Sequence, residues 1–139
     1  MAERFSFDGL ETRADIVKVY DGDTITAEFP LPHTQFKLVS PTYRWSCRIV
    51  GIDTPELRSK NMWVREHAYK ARDRVRELIL GQECKLDLCD FDKYGRVLCS
   101  VTTPDGQDLA NLLIEEGLAL SYSGGKKADW SDRVPKDEN

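Results

Sequence analysis

The sequence has little histidine, no paired-cysteine motif and no long apolar run. Of its 139 residues, two are histidine and four are cysteine, and no two cysteines are spaced as C-x-x-C. These absences argue against a zinc site built from histidine and cysteine side chains. No apolar stretch approaches the roughly 20 residues that a membrane-spanning helix needs. We therefore expect a globular protein that does not enter a membrane.

The first residues, Met-Ala-Glu-Arg-Phe-Ser-Phe-Asp-Gly, also lack the apolar segment of a signal peptide. The cysteines alternate with apolar residues in predicted strands, which favours buried, reduced thiols over disulfides. Both features favour an intracellular location, with secretion as the alternative if a leader has been removed. The net charge of −4 argues against a surface coated with basic residues, but it allows a small positive cleft for nucleic acid.

A chain of this length is expected to form one domain with its own hydrophobic core. We predict a polar N-terminal arm over residues 1–12, a single domain over 13–123 and a flexible tail over 124–139. Residues 30–43 contain three prolines, which predicts a loop insertion with room for a short strand at Phe36–Val39. We expect the protein to be a monomer.

Apolar alternation predicts the strands, and apolar residues at three- and four-residue steps predict two helices. Many short strands with a helix between the third and the fourth are typical of a small closed barrel of the OB type, a mainly β fold of the α+β class. The predicted elements are strands at Arg13–Val19, Thr24–Phe29, Tyr43–Ile52, Cys84–Phe91, Arg96–Thr103 and Leu118–Tyr122, and helices at Met62–Leu80 and Asp108–Glu116.

The stretch from Cys47 to Glu56 combines a predicted strand with a tight acidic turn. Pro55 fixes its own φ and disfavours helix at the residue before it, so the strand should stop there. Arg48, Asp53 and Glu56 supply a cation, an oxygen ligand and a second carboxylate within one short segment. Those groups can hold a phosphate, bind a hard metal ion and move a proton.

Two further motifs lie at predicted hairpin turns, Asp21-Gly22-Asp23-Thr24 and Asp92-Lys93-Tyr94-Gly95-Arg96. Each motif alone is weak, because aspartate and glycine also form ordinary turns. The three motifs in this order and at these separations are specific. From about Ala14 to Tyr122 the chain resembles the staphylococcal nuclease (thermonuclease) family.

The resemblance implies a five-stranded OB barrel with packed helices. It also implies calcium-dependent hydrolysis of phosphodiesters in DNA and RNA, yielding 3′-phosphate ends, although another divalent metal is compatible. Asp23 and Asp53 match the calcium ligands of the family, Thr54 would add its backbone carbonyl, and Asp21 would act nearby through water. Glu56 matches the proposed general base.

The remaining roles are also implied by the resemblance. Arg48 and Arg96 match two arginines that clamp the scissile phosphate. Lys93 and Tyr94 match residues beside the terminal phosphate of a bound nucleotide, and Tyr122 is the nearest candidate for a base-stacking tyrosine. DNA or RNA would therefore be the substrate, and the motifs leave the choice between them open.

Several alternatives stay open at this point. Arg48 could pair with a carboxylate on the barrel surface, and Glu56 could cap the loop before the long helix. The whole domain could be a catalytically silent nuclease-like module that binds nucleic acid or a protein partner, as OB barrels often do. The presence of the complete residue set favours an enzyme.

Overall fold

A computed structural model describes residues 6–31, 41–125 and 129–134. The chain forms seven strands, two α-helices and a single 3₁₀ turn within these ranges. They are β1 (Glu11–Val19), β2 (Thr24–Pro30), β3 (Thr42–Ile49), β4 (Ile52–Asp53), α1 (Met62–Ile79), β5 (Glu83–Phe91), β6 (Val97–Thr102), α2 (Leu109–Glu115), β7 (Leu120–Ser121) and the 3₁₀ turn Trp130–Arg133.

Five strands close into a barrel in the order β1-β2-β3-β6-β5. The β3–β6 pair is parallel and the other four pairs are antiparallel. The prediction of a five-stranded OB barrel in an α+β fold is confirmed. Closing the barrel leaves no free edge among these strands, because each strand pairs with a neighbour on both sides.

Alternating side chains fill the interior of the barrel. In β2, Ile25, Ala27 and Phe29 are buried while the residues between them are partly exposed. The same two-residue period operates in β5 and β6, since inward and outward positions alternate along a strand. The four cysteines are free thiols, and Cys47, Cys84 and Cys99 belong to the buried core.

The central strand is shorter than the predicted Tyr43–Ile52 segment. It ends at Ile49, and Gly51 adopts a φ of +87°, a conformation that side-chain-bearing residues rarely take. The chain therefore leaves the barrel, and Ile52–Asp53 pairs with β7 in a separate two-stranded sheet. The β-branched residues correctly indicated extended backbone, but the glycine between them redirected it.

The long helix packs one apolar face against the barrel. Val64, Ala68, Ala71, Val75 and Ile79 are its buried residues. The side chain of Asn61 accepts a hydrogen bond from the Val64 amide at 3.1 Å and so caps the first turn. The helix ends one residue before the predicted end. Among the described residues, no helix is both long and apolar enough to cross a membrane.

Both ends of the described chain contribute to packing. Phe7 is fully buried, and its ring lies 5.2 Å from the centroid of Trp45 and 5.1 Å from that of Phe91. At the other end, Trp130 is 7% exposed. The predicted N-terminal arm and C-terminal tail therefore each include a buried residue.

The predicted insertion over residues 30–43 begins and ends in strand residues. Pro30 pairs with Thr42, so the β2–β3 ladder already includes both residues. The short strand predicted at 36–39 lies outside the described residues.

Candidate active site

A cleft of about 240 Å³ collects residues from all three sequence motifs. The turn between β1 and β2 forms one wall, the segment after β4 forms a second, and Arg96 approaches from the start of β6. The lining residues are Tyr20, Asp21, Asp23, Thr24, Thr54, Glu56, Leu57, Arg58 and Arg96.

Asp23 connects the first acidic turn to two other segments of the site. It is 6% exposed. Its Oδ1 accepts a hydrogen bond from the Thr24 hydroxyl at 3.1 Å, and its Oδ2 accepts one from the Thr54 amide at 3.3 Å. Its backbone carbonyl accepts a hydrogen bond from the Ile49 amide at 2.8 Å. These bonds join the β1–β2 turn to β3 and to the segment after β4.

Arg48 is buried and contacts Asp23. Its Nη1 lies 2.7 Å from Asp23 Oδ2, and its Nη2 donates to the Ile52 carbonyl at 3.3 Å. Nη1 has no hydrogen-bond partner of good geometry within the described ranges, so we treat the 2.7 Å contact as an ion pair. Arg48 thus does pair with a carboxylate, but the partner is another predicted site residue and the pair is buried.

The two predicted phosphate-clamping arginines border different clefts. Arg96 lines the cleft with Asp23 and Glu56, whereas Arg48 lines a neighbouring cleft with Tyr122. The Arg48 guanidinium carbon lies 6.0 Å from the centroid of the Tyr122 ring. Asp23, which touches Arg48, is the link between the two clefts.

Asp21 carries the largest electrostatic perturbation in the cleft. Burial, the charge of Asp23 and a hydrogen bond with that carboxyl group raise the pKa of Asp21 from 3.8 to about 7. Hydrogen bonds from the amides of Asp23 and Thr24 act in the opposite direction. Burial and the neighbouring carboxylate therefore both disfavour the ionised form of Asp21.

The two carboxylates at the end of β4 and just after it lie in different environments. Asp53 and Thr54 are buried, whereas Glu56 is exposed. A second cleft of about 190 Å³ borders the first, and Thr54 and Glu56 line both. Asp53 lines only the second, together with Asp129 and Trp130.

The Glu56 carboxylate is available for chemistry. In the described part of the chain it makes no hydrogen bond or ion pair, and only its backbone carbonyl accepts a bond, from the Ser59 amide at 3.2 Å. Asn61, not Glu56, caps the long helix. The capping role considered for the Glu56 side chain is therefore not what the structure displays.

The β5–β6 turn positions Arg96 through Asp92. The Asp92 carboxylate accepts bonds from the amides of Tyr94 and Arg96 at 2.8 and 2.9 Å, and from Arg96 Nε at 2.7 Å. Burial raises the pKa of Asp92, but these hydrogen bonds outweigh it and the pKa is lowered overall. Arg96 is consequently held at the rim of the cleft by two bonds to Asp92, one from its backbone amide and one from Nε.

Lys93 and Tyr94 lie on the exposed side of the same turn. The Tyr94 ring is 73% exposed. Lys93 Nζ lies 5.2 Å and Arg96 Cζ 5.5 Å from its centroid. This pairing of cations with an open aromatic face suits contact with a nucleotide.

Sequence reasoning missed several residues that line the two clefts. Tyr20 precedes the first acidic turn, and Arg58 follows Glu56 by two positions, so proximity to a motif was their available signal. Asp129 and Trp130 had no such signal, because only folding brings the C-terminal segment beside Asp53.

The potential metal ligands of the site are oxygen atoms, which hard cations prefer. Asp21, Asp23, Asp53 and the Thr54 carbonyl offer oxygen ligands, which calcium and magnesium prefer. Among the described residues, no three His, Cys, Asp or Glu side chains form a group able to hold a metal ion by themselves. A metal here would therefore take carbonyl, water or substrate oxygens as well as carboxylates, and the residues present fit such an ion.

The sequence model of the family described as staphylococcal nuclease homologue matches residues 46–138. The chain belongs to the staphylococcal nuclease family. The chain is 26% identical over 107 residues to an uncharacterized endonuclease of Escherichia coli, covering 77% of this chain and 59% of that protein.

Two other relatives have more specific names. The SPbeta prophage-derived endonuclease YokF of Bacillus subtilis is 34% identical over 95 residues, covering 66% of this chain and 32% of that protein. The thermonuclease of Staphylococcus hyicus is 30% identical over 122 residues, covering 86% of this chain and 64% of that protein. The chain thus spans between about one third and two thirds of the length of these relatives.

Proposed function

We propose that this staphylococcal nuclease family chain is a calcium-dependent phosphodiesterase that hydrolyses DNA or RNA and leaves 3′-phosphate ends. One observation carries the proposal: a single cleft brings two acidic turns and Arg96 together although they are distant in sequence. Carboxylates and a guanidinium facing one space are what phosphodiester hydrolysis requires, because negative charge must be held while water is deprotonated.

In this proposal Arg96 binds the scissile phosphate. Its guanidinium faces the cleft and is held from behind by Asp92, with Nε 2.7 Å from Oδ2. A guanidinium fork matches two phosphate oxygens and stabilises the charge that develops on them. Arg48 would join it by exchanging part of its contact with Asp23 for one with the phosphate. Lys93, Tyr94 and Tyr122 would contact the rest of the nucleotide.

Asp23, Asp53 and the Thr54 carbonyl would hold the calcium ion, with Asp21 nearby. Burial is the largest cause of the raised pKa of Asp21 and the nearby charge of Asp23 is the second, and a cation beside the two carboxylates would favour their ionised forms. When bound, calcium supplies Lewis-acid chemistry, neutralising phosphate charge and acidifying water.

Glu56 is the proposed general base. It lines the cleft, it is exposed, and no other group in the described ranges competes for its carboxylate. Its task would be to accept the proton of the attacking water. A positioned general base typically contributes about 10²–10⁴ in rate.

Cleavage of single-stranded DNA and of RNA by the purified chain, with calcium and with calcium plus a chelator, tests the activity. We expect cleavage only when free calcium is present, with 3′-phosphate ends. Glu56→Gln should lower turnover by about 10²–10⁴, whereas Glu83→Gln, an exposed glutamate on β5 paired with Arg13, should not.

These experiments distinguish an active nuclease from a catalytically silent binding module. An intact chain that binds oligonucleotides but never cleaves them would be a silent binding module. Cleavage that survives chelation would exclude the calcium dependence, and normal turnover in Glu56→Gln would exclude the assigned base.

A further inference from the structure

Gly22 lies between the two aspartates of the first acidic turn, and the space around it has no room for a side chain. A Cβ added at this position would lie 2.7 Å from Cγ2 and 3.0 Å from Cβ of Thr54, and 3.0 Å from Cβ of Ala71. Contacts below 3.0 Å are essentially never seen for real Cβ atoms. Of the nine glycines in the chain, Gly22 is the only one whose added Cβ would meet an atom within 4 Å among the residues that the structure describes.

Backbone conformation does not explain this glycine. The other glycines of the chain have positive φ, and Gly22 does not. An Asp-Gly pair at a hairpin is normally explained by the left-handed conformation that glycine permits. Here the backbone is one that alanine can adopt, so the requirement for glycine comes from packing alone.

The residues that pack against Gly22 connect it to the candidate site. Thr54 belongs to the segment that carries Asp53 and Glu56, and its amide donates to Asp23 Oδ2 at 3.3 Å. Ala71 is fully buried on α1. The same helix holds the base of the turn, because Arg76 Nη2 donates to the Val19 carbonyl at 3.2 Å. Close approach at Gly22 thus brings the two acidic segments together against one rigid helix.

We propose that Gly22 is a positioning residue, whose missing side chain sets the separation between the Asp21–Asp23 turn and the Thr54–Glu56 segment. This inference rests on the proposed function for its catalytic consequence. Displacing reacting groups by about 1 Å can cost about 10²-fold in rate. A methyl group at position 22 would force a shift of several tenths of an ångström, since ordinary contacts begin near 3.4 Å.

The test is a cycle of four proteins: wild type, Gly22→Ala, Thr54→Ser and the double variant. Thr54→Ser removes Cγ2, the atom nearest to the added methyl group, and keeps the backbone and the hydroxyl. We expect Gly22→Ala to lower kcat about 10–100-fold in the wild-type background. In the Thr54→Ser background the same substitution should cost at least fivefold less.

Amide hydrogen exchange provides a readout that does not depend on nuclease activity. The Thr54 amide is bonded to Asp23, whereas the Leu88 amide donates to the Leu10 carbonyl at 2.7 Å elsewhere in the barrel. Gly22→Ala should reduce protection of the Thr54 amide at least tenfold and leave that of Leu88 unchanged. The loss should be smaller in the Thr54→Ser background.

Val101→Ala is the matched control. Val101 is fully buried in β6 and lines neither the 190 Å³ nor the 240 Å³ cleft. The substitution therefore removes core packing without displacing the Asp21–Asp23 turn. Its kcat, measured where all proteins are folded, should equal that of the wild type.

Two outcomes would overturn the inference. If Gly22→Ala behaves like Val101→Ala, with lower stability but normal kcat and normal Thr54 exchange, Gly22 has only a structural role. If its losses are the same in both backgrounds, the contact with Thr54 is not their cause. If Gly22→Ala alone does not fold, the double variant is compared with Thr54→Ser by the same two readouts. A wild type that never cleaves overturns the proposed function, and the exchange measurement still decides the positioning role.

Discussion

Replacing Arg48 by methionine tests whether the buried pair with Asp23 holds the candidate site together. Arg48 and Asp23 are 7% and 6% exposed, and Nη1 lies 2.7 Å from Oδ2. Removing one member of such a pair leaves the other charge buried without a counter-ion, which typically costs about 3–5 kcal/mol. Small domains are stable by only about 5–15 kcal/mol. We therefore expect Arg48→Met to remove about a fifth or more of the free energy of unfolding.

Arg13→Met is the matched control for the same chemical change. Arg13 Nε lies 2.9 Å from Glu83 Oε1, but the two side chains are 62% and 57% exposed. Exposed pairs contribute about 0–1 kcal/mol, because water and salt screen them and side-chain entropy opposes them. Urea unfolding of both variants at neutral pH without metal gives the comparison.

The double variant Arg48→Met/Asp23→Asn separates a lost pair from lost packing. Replacing both charges removes the uncompensated carboxylate, so the double variant should be more stable than Arg48→Met alone. The buried pair does not stabilise the site as argued if Arg48→Met lowers the free energy of unfolding no more than Arg13→Met does. The same conclusion follows if adding Asp23→Asn lowers the free energy of unfolding further.

Three further predictions concern the metal, the phosphate contact and pH. Calcium should raise the Tm of the wild type but not that of Asp53→Ala, because a lost ligand removes binding to the folded state; equal shifts in both would remove Asp53 from the metal site. Arg96→Lys should lower turnover on the order of 10²-fold, since lysine lacks the guanidinium fork, and full activity would show that charge alone suffices. The lowered pKa of Asp92 means that its ionised form stabilises the fold above its unfolded pKa and that this contribution is lost as pH falls through the folded value. The stability gap between wild type and Asp92→Asn should therefore be full at about pH 6 and shrink toward about pH 2, and a gap independent of pH would contradict the assignment.

Much of the barrel could be predicted from the local pattern of apolar and polar residues. In β2, residues alternate strictly between the two faces, and a side chain that points into a barrel must be apolar. The spacing of Val64, Ala68 and Val75 similarly placed one face of α1 inward. The break at Gly51 was harder to predict, because a glycine inside a strand pattern can be a bulge, a bend or an end.

The motifs likewise indicated which residues to examine, but not how they are connected. The sequence placed Arg48 and Arg96 in one role, whereas the fold buries Arg48 against Asp23 and leaves Arg96 at the cleft rim. That division depends on which way each side chain leaves its strand and on what lies behind it. Trp130 and Asp129 beside Asp53 follow from the return of the chain after β7, which no local pattern encodes.

The sequence by itself determined the family, through its motifs and their order, and it indicated the barrel class and the acidic and basic residues through residue type and short-range periodicity. Only the tertiary structure decided the distances between the motifs, the burial that raises the pKa of Asp21 to about 7, and the steric reason for Gly22. Burial and close approach arise from segments far apart in the chain, as with Gly22, Thr54 and Ala71. From sequence alone, the Asp-Gly pair resembles an ordinary turn. The glycine is required by residues that pack against it in the folded chain and not by its own backbone conformation.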